Sequence, residues 1–147
     1  SDVCSSDLPW QQDILNLIES EPDDRTINWF WESEGSIGKS YLAKYLLLKY
    51  DAIICSGKSA DIFNQVNMWL REHEGLSPKL IICDIPRTNL NYVCYNALEQ
   101  LKNGMLCSGK YEGGVCVFNS PHVVCFANQE PYRPSMSKDR WNIVRIN

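Results

Sequence analysis

The chain has 147 residues, of which 44% are hydrophobic and 22% are charged. This is the size of one ordinary domain, and the composition excludes a largely disordered chain. The net charge of −4 argues against a protein that coats DNA, although a few local lysines can still line a DNA channel. No segment approaches the roughly 20 apolar residues that cross a bilayer, so we expect no membrane partner.

Cysteine usage indicates a reducing, intracellular compartment. The seven cysteines are odd in number, and no two have the close spacing of a structural zinc site. Cys55, Cys83 and Cys125 lie in apolar, strand-like runs, which favours buried free thiols. The polar start SDVCSSD carries no secretory signal and suggests a domain taken from a longer protein.

The elements alternate along the chain between helical and strand-like patterns. Helices are predicted where apolar residues recur at helical spacing, and strands where β-branched and aromatic residues cluster. The predicted elements are a helix at 10–18, a strand at 26–32, a helix at 41–50, a strand at 52–55, a helix at 60–70, a strand at 79–84, a helix at 94–101, a β-hairpin within 105–119, a strand at 122–128 and a final strand at 141–147.

This alternation predicts an α/β fold with a mainly parallel central sheet, helices on both faces and a β-hairpin insertion. We assign residues 1–25 to an N-terminal linker with a short helix, and residues 26–147 to the main domain.

The triplet Gly38-Lys39-Ser40 follows the first strand and opens a helix. A phosphate chain needs backbone N–H groups, a helix N-terminus and a lysine at the β- and γ-phosphates, and magnesium needs a hydroxyl oxygen. The loop Gly35, Ser36, Ile37, Gly38, Lys39 and Ser40 is therefore the candidate site for ATP. The match is imperfect, because Ser33 stands where the full pattern has its first glycine.

A second triplet, Gly57-Lys58-Ser59, also lies between a strand and a helix. Five residues before Gly57 lies Ala52, at the start of the strand, so no loop remains to wrap a phosphate. Lys58 is interpreted either as an ordinary surface lysine or as a DNA-facing one.

Two polar residues end the apolar strands that follow. Asp84 ends KLIICD and is a candidate magnesium ligand, together with Ser40; the alternative is a helix-capping aspartate. Asn128 ends HVVCFAN and is a candidate sensor of the γ-phosphate and the attacking water, although asparagine also commonly starts turns. Asp84 has no neighbouring acid, which leaves the general base open.

Two further candidates lie near the hairpin and the C-terminus. Arg140 in SKDRW could stabilise transition-state charge from a neighbouring subunit, or could form an ordinary ion pair. Lys110 and Tyr111 in SGKYEGG could grip the backbone and a base of single-stranded DNA, or Lys110 could simply keep a strand edge soluble.

Four stretches together resemble a known family: WFWESEGSIGKSYLAKYL, KLIICDIPR, LKNGMLCSGKYEGG and VVCFANQEP. Their order is similar to that of superfamily 3 helicases, and more closely to the replication initiator (Rep) of circular single-stranded DNA viruses, especially nanoviruses and their satellites. The resemblance spans roughly residues 10–147. It implies an AAA+-like P-loop NTPase fold.

The resemblance also implies roles for single residues. Lys39 and Ser40 match the Walker A lysine and hydroxyl, Asp84 the Walker B acid, and Asn128 the motif C asparagine. Lys110 falls at the DNA-gripping hairpin, and Arg140 at the arginine finger.

As a whole, the resemblance implies an ATP- and magnesium-dependent helicase. Such helicases form rings, usually hexamers, move on single-stranded DNA and act in the host nucleus. The family's N-terminal nicking domain has a His-apolar-His metal motif that this sequence lacks, so we expect no DNA nicking by this chain. Two alternatives remain open: a nucleotide-binding assembly module with weak ATPase activity, and a small-molecule kinase, which shares the glycine loop but usually has an arginine-rich lid.

Overall fold

The computed structural model of the chain describes residues 8–35, 38–87, 92–108 and 114–147. All the elements predicted from the sequence are present, with ends that differ by a few residues at most. They are α1 (Pro9–Glu19), β1 (Ile27–Trp31), α2 (Lys39–Tyr50), β2 (Ile53–Cys55), α3 (Ser59–Glu72), β3 (Leu80–Asp84), α4 (Tyr95–Asn103), β4 (Met105–Cys107), β5 (Val115–Val117), β6 (His122–Ala127) and β7 (Trp141–Arg145).

Five strands form one parallel sheet in the order β2-β3-β6-β1-β7. The three inner strands, β3, β6 and β1, are mostly apolar and buried, as expected for a parallel sheet covered on both faces. β6 lies between β1 and β3, although it follows both in the sequence. The carboxyl ends of β1, β6 and β3 are therefore neighbours at one edge of the sheet, which we call the carboxyl edge.

Helices cover both faces of the sheet, as predicted. One face packs against α1 and α2 through side chains such as Ile14 and Leu46, both fully buried. The other face packs against α3 and α4 through side chains such as Val66 and Leu98, also fully buried. In the described part of the chain, no helix is long and apolar enough to cross a membrane.

Helix α1 belongs to the same hydrophobic core as the rest of the domain. Pro9 occupies its first turn, where a missing N–H costs nothing. Ile14 and Ile18 are fully buried against Leu42 and Leu46 of α2. The segment assigned to a linker and short helix thus contributes an integral helix, and it lies directly behind the glycine loop.

The predicted hairpin is a separate two-stranded antiparallel sheet of β4 and β5. Its inward side chains, Leu106 and Cys116, are buried beside α3 and α4. Its outward side chains include Met105 and Val117, which face each other across the two strands and are exposed. Lys110 and Tyr111, predicted to contact DNA, belong to residues 109–113 between β4 and β5, which lie outside the described residues.

Gly104 connects α4 to the hairpin at a backbone position that requires glycine. Its φ is +76°, and a Cβ there would lie 2.1 Å from the backbone oxygen of Phe118. We expect Gly104→Ala to lower the free energy of unfolding by about 3 kcal/mol, from strain and overpacking together. Gly75→Ala is the matched control, because Gly75 has φ +82° but open space around it; it should cost about 1 kcal/mol. Equal losses in urea unfolding would contradict the steric argument.

His122 and His73 should give opposite pH dependences of stability. Burial lowers the pKa of His122, whose Nε2 lies 2.7 Å from the carbonyl oxygen of Ser20. The folded state then binds fewer protons than the unfolded state, so this contribution is complete above the ordinary histidine pKa and is lost as the pH falls. Contacts with Trp69 and Asp51 raise the pKa of His73, so its contribution is present at low pH and is lost as the pH rises.

Urea unfolding of wild type, His122→Gln and His73→Gln between pH 5 and 8 tests these signs. The free energy of unfolding of wild type minus that of His122→Gln should increase as the pH rises. The difference for His73→Gln should move the other way. The same direction for both variants would refute the assignment.

Candidate functional site

Three polar side chains follow neighbouring strands at the carboxyl edge of the sheet. Glu32 follows β1, Asn128 follows β6, and Asp84 is the last residue of β3. In the sheet register Trp31 pairs with Ala127, and Asp84 pairs with Phe126. The chain order β1, β3, β6 and the inserted position of β6 thus gather residues that are up to 96 positions apart.

The loop between β1 and α2 is shaped by Gly38. Its φ is +99°, and a Cβ at this position would lie 2.8 Å from Nε2 of Gln11 in α1. The positive φ favours glycine, and any other residue would also displace the end of the Gln11 side chain. Helix α2 begins at Lys39, so the free N–H groups of its first turn face the loop. Ser36 and Ile37, two of the predicted loop residues, lie outside the described residues.

Lys39 reaches back from α2 to the end of the sheet. Its Nζ lies 2.5 Å from Oε2 of Glu32 and 3.0 Å from the carbonyl oxygen of Ala127. The Lys39 side chain is 15% exposed, whereas that of Glu32 is fully buried. Lys39, the lysine predicted to bind phosphate, therefore forms an ion pair with the buried Glu32.

Glu32 is a further residue of the candidate site that the sequence patterns did not single out. Its carboxylate accepts hydrogen bonds from the backbone N–H of Glu34 at 2.7 Å, from that of Gly35, and from Nδ2 of Asn128 at 3.1 Å. Burial would raise its pKa, but Lys39 and the two loop N–H groups outweigh burial and lower the pKa. An acid directly after a buried strand, which made Asp84 a candidate, was the signal available for Glu32 as well.

Asp84 and Ser40 are accessible to a metal ion from solvent. Both side chains are exposed, Ser40 in the first turn of α2 and Asp84 at the end of β3. Packing around the Asp84 carboxyl still removes it partly from water, which raises its pKa, while the charge of Lys39 opposes the shift. The described residues contain no group of three or more acidic, histidine or cysteine side chains that could hold a metal by themselves.

These donors fit a phosphate chain and its magnesium ion. The Glu32 carboxylate accepts hydrogen bonds from the Lys39 ammonium and from the backbone N–H groups of Glu34 and Gly35. The same donors can bind another negatively charged group. Magnesium commonly takes only one or two protein ligands and keeps phosphate oxygens and waters for the rest. One carboxylate and one hydroxyl, on Asp84 and Ser40, are consistent with that chemistry.

Arg140 lies at the opposite end of the sheet from these residues. It directly precedes β7 and is 4% exposed. Its guanidinium is 2.9 Å from Oε2 of Glu99, donates to Oδ1 of Asn103 at 2.9 Å and to the carbonyl oxygen of Arg25 at 3.3 Å. Arg140 therefore cannot serve the site of its own subunit, and reaching a neighbour would require it to leave these partners.

Asp139, which precedes Arg140 in the chain, forms its ion pair with a different arginine. Asp139 pairs with Arg25 at 2.9 Å, which lowers the pKa of the Asp139 carboxyl to about 2. Arg140 pairs with Glu99 instead.

The second glycine-lysine-serine triplet forms no phosphate cradle. Only residues 56–58 separate β2 from α3. The backbone N–H of Ser56 is already bonded to Oδ2 of Asp61 at 2.6 Å. A Cβ on Gly57 would lie 3.2 Å from Val93, so Gly57 serves packing. Lys58 is exposed, with its ammonium 5.9 Å from the ring of Tyr92.

Comparison with known proteins gives a consistent set of relatives. The chain is 36% identical to Para-Rep C6 of Subterranean clover stunt C6 alphasatellite, over 97% of this chain and 50% of that protein. It is 39% identical to Para-Rep C10 of Milk vetch dwarf C10 alphasatellite, over 92% and 47%. It is 38% identical to the master replication protein of Subterranean clover stunt virus (strain F), over 92% and 44%.

The chain is a homologue of these viral and satellite replication proteins. It spans about half the length of the curated relatives that it matches. No family model matches the sequence.

Proposed function

We propose that the chain is the ATP-dependent DNA helicase domain of a viral rolling-circle replication initiator, with a P-loop NTPase fold of the superfamily 3 type. The observation that carries the proposal is the meeting of Lys39, Asp84 and Asn128 at the carboxyl edge, behind a loop shaped by Gly38. Ligands of open parallel sheets bind at this edge. The homology to replication proteins supports a DNA-unwinding activity, because replication of DNA requires separated strands.

Each residue at the edge has a chemical role in the proposal. Lys39 and the first turn of α2 bind the β- and γ-phosphates of ATP. Ser40 and Asp84 hold magnesium, which neutralises charge on the phosphates. Asn128 lies beside Lys39 through their shared partner Glu32, where its amide can orient the attacking water. The general base stays unassigned.

The proposed motor is a homo-oligomer, most simply a hexameric ring, in which each ATP lies between two subunits. Arg140 would act on the ATP of the neighbouring subunit, since its place before β7 excludes action on its own. Its present partners, Glu99 and Asn103, would then be exchanged for a phosphate during assembly. Lys110 and Tyr111, in the segment between β4 and β5, would contact single-stranded DNA.

The biological setting is also proposed. The domain would work in the host nucleus, joined in the full-length protein to a nicking domain that the relatives' greater length can accommodate.

The alternative is a nucleotide-binding assembly module whose hydrolysis is weak without other parts of the protein. The ion pairing of Arg140 within its own subunit favours this alternative, because an arginine held in this way stabilises no transition state. The dependence of hydrolysis on assembly separates the two functions, since a motor with shared sites needs contact between subunits for turnover.

ATP hydrolysis measured across protein concentration, with and without single-stranded DNA, tests the proposal. A motor with shared sites predicts a specific rate that rises with concentration and rises again with DNA. A flat, low rate beside clear nucleotide binding would favour the assembly module. No nucleotide binding at all would reject both.

A further inference from the structure

Glu32 contacts the same ammonium and loop N–H groups that would bind a phosphate. Its buried carboxylate contacts Nζ of Lys39 at 2.5 Å and accepts the backbone N–H groups of Glu34 and Gly35. An ammonium and adjacent loop N–H groups are the donors that a phosphate oxygen requires. The carboxylate of Glu32 therefore stands where a terminal phosphate would find its partners.

The position is fixed from several directions. Glu32 is fully buried at the end of β1, and Nδ2 of Asn128 donates to the same oxygen that Lys39 contacts, at 3.1 Å. Lys39 also donates to the carbonyl oxygen of Ala127 at 3.0 Å. A phosphate therefore cannot accept all the hydrogen bonds of the ammonium while these contacts persist. The next acid along the loop, Glu34, is exposed, and its Oε2 lies 3.4 Å from Nδ2 of Asn147.

We propose that Glu32 is an internal substitute for phosphate, which holds Lys39 and the N–H groups of Glu34 and Gly35 in place until nucleotide binds and must then release Lys39. The inference rests on the proposed function, and it names a positioning residue that sets nucleotide affinity. The competition has two parts. The triphosphate must displace the carboxylate from Lys39, and it must then share the pocket with a buried negative charge.

A purely structural clamp makes the opposite prediction. If Glu32 only holds the loop in a binding-competent shape, removing its charge loosens the loop and weakens nucleotide binding. If Glu32 competes with phosphate, removing its charge strengthens binding, because Lys39 is released and the repulsion is gone. The sign of the change in affinity therefore separates the two roles.

The test is a calorimetric titration of the 147-residue chain with magnesium-ADP and with pyrophosphate, for wild type, Glu32→Gln and Glu34→Gln. We expect Glu32→Gln to bind both ligands about tenfold more tightly. This change is a modest part of the repulsion expected between a carboxylate and a phosphate that share one pocket. Glu34→Gln removes the same charge from the same loop on the solvent side, where screening should limit the change to about twofold. Thermal melting of each variant checks that the fold is intact.

The outcomes are separable. Equal or weaker binding by a folded Glu32→Gln variant overturns the proposal. If that variant does not fold, Glu32→Asp replaces it, since the shorter side chain draws the carboxylate away from Lys39; it too must bind more tightly than wild type. Binding by wild type that Lys39→Ala abolishes upholds the nucleotide site whatever Glu32 does, and absence of binding by every variant contradicts both.

Discussion

The variant Lys39→Ala is expected to lower ATP hydrolysis by at least about 100-fold, the loss typical when one preorganised charge partner of a transition state is removed. Lys39 supplies the only described ammonium at the junction of the glycine loop and α2, and Glu32 and Ala127 hold it at the end of the sheet. Hydrolysis at saturating magnesium-ATP, followed by phosphate release, measures the effect.

Lys58→Ala is the matched control for that prediction. Lys58 belongs to the second glycine-lysine-serine triplet, but it is exposed and its loop has no room for a phosphate. We expect its hydrolysis without DNA to stay within about twofold of wild type, as for a surface substitution away from the site. Normal turnover in Lys39→Ala, or a loss only in Lys58→Ala, would show that the site is assigned to the wrong loop.

The variant Asp84→Asn is expected to lower hydrolysis by about 100-fold, because metal-ion catalysis supplies several kcal/mol of charge stabilisation. The substitution keeps the shape of the side chain and removes the charge that would hold magnesium at the end of β3. Nucleotide binding without magnesium should be unchanged or slightly stronger, since one negative charge near the phosphates is lost. Parallel measurements of turnover and of magnesium-free ADP binding separate the two effects.

Asp24→Asn is the control for charge alone. Asp24 is exposed and lies just before β1, at the edge of the sheet opposite Asp84. Its substitution removes the same charge and should leave turnover within about twofold. A similar loss of turnover in both variants would point to a general effect of charge and would reject a specific metal site at Asp84.

The sequence predicted the helices, the strands and the mainly parallel α/β sheet, because local patterns and tertiary packing agree in this chain. Apolar runs such as LIIC at 80–83 became buried parallel strands, and the helical spacing of Ile62 and Val66 marked the buried face of α3. The hairpin followed from the glycines around its tip. Strand order was beyond these patterns, because the place of β6 between β1 and β3 is set by long-range pairing.

The arrangement of the candidate site could be predicted only in part. Lys39, Asp84 and Asn128 could be named as candidates because each stands at a recognisable place in a pattern of strand, loop and helix. Glu32 could not be ranked, since a buried acid is identified by its partners, and these come from Lys39, Asn128 and the folded loop. The burial of Arg140 depends likewise on contacts with Glu99 and Asn103, which nothing in SKDRW reveals.

The most direct test of the account is an experimental structure of the chain bound to magnesium-ADP. The account predicts that the β-phosphate lies against Lys39 and the first turn of α2, that magnesium lies between Ser40 and Asp84, and that Glu32 no longer contacts Lys39. Nucleotide bound beside Lys58 or elsewhere on the surface, with the Lys39–Glu32 pair intact, would contradict the central claim that this loop is the nucleotide site.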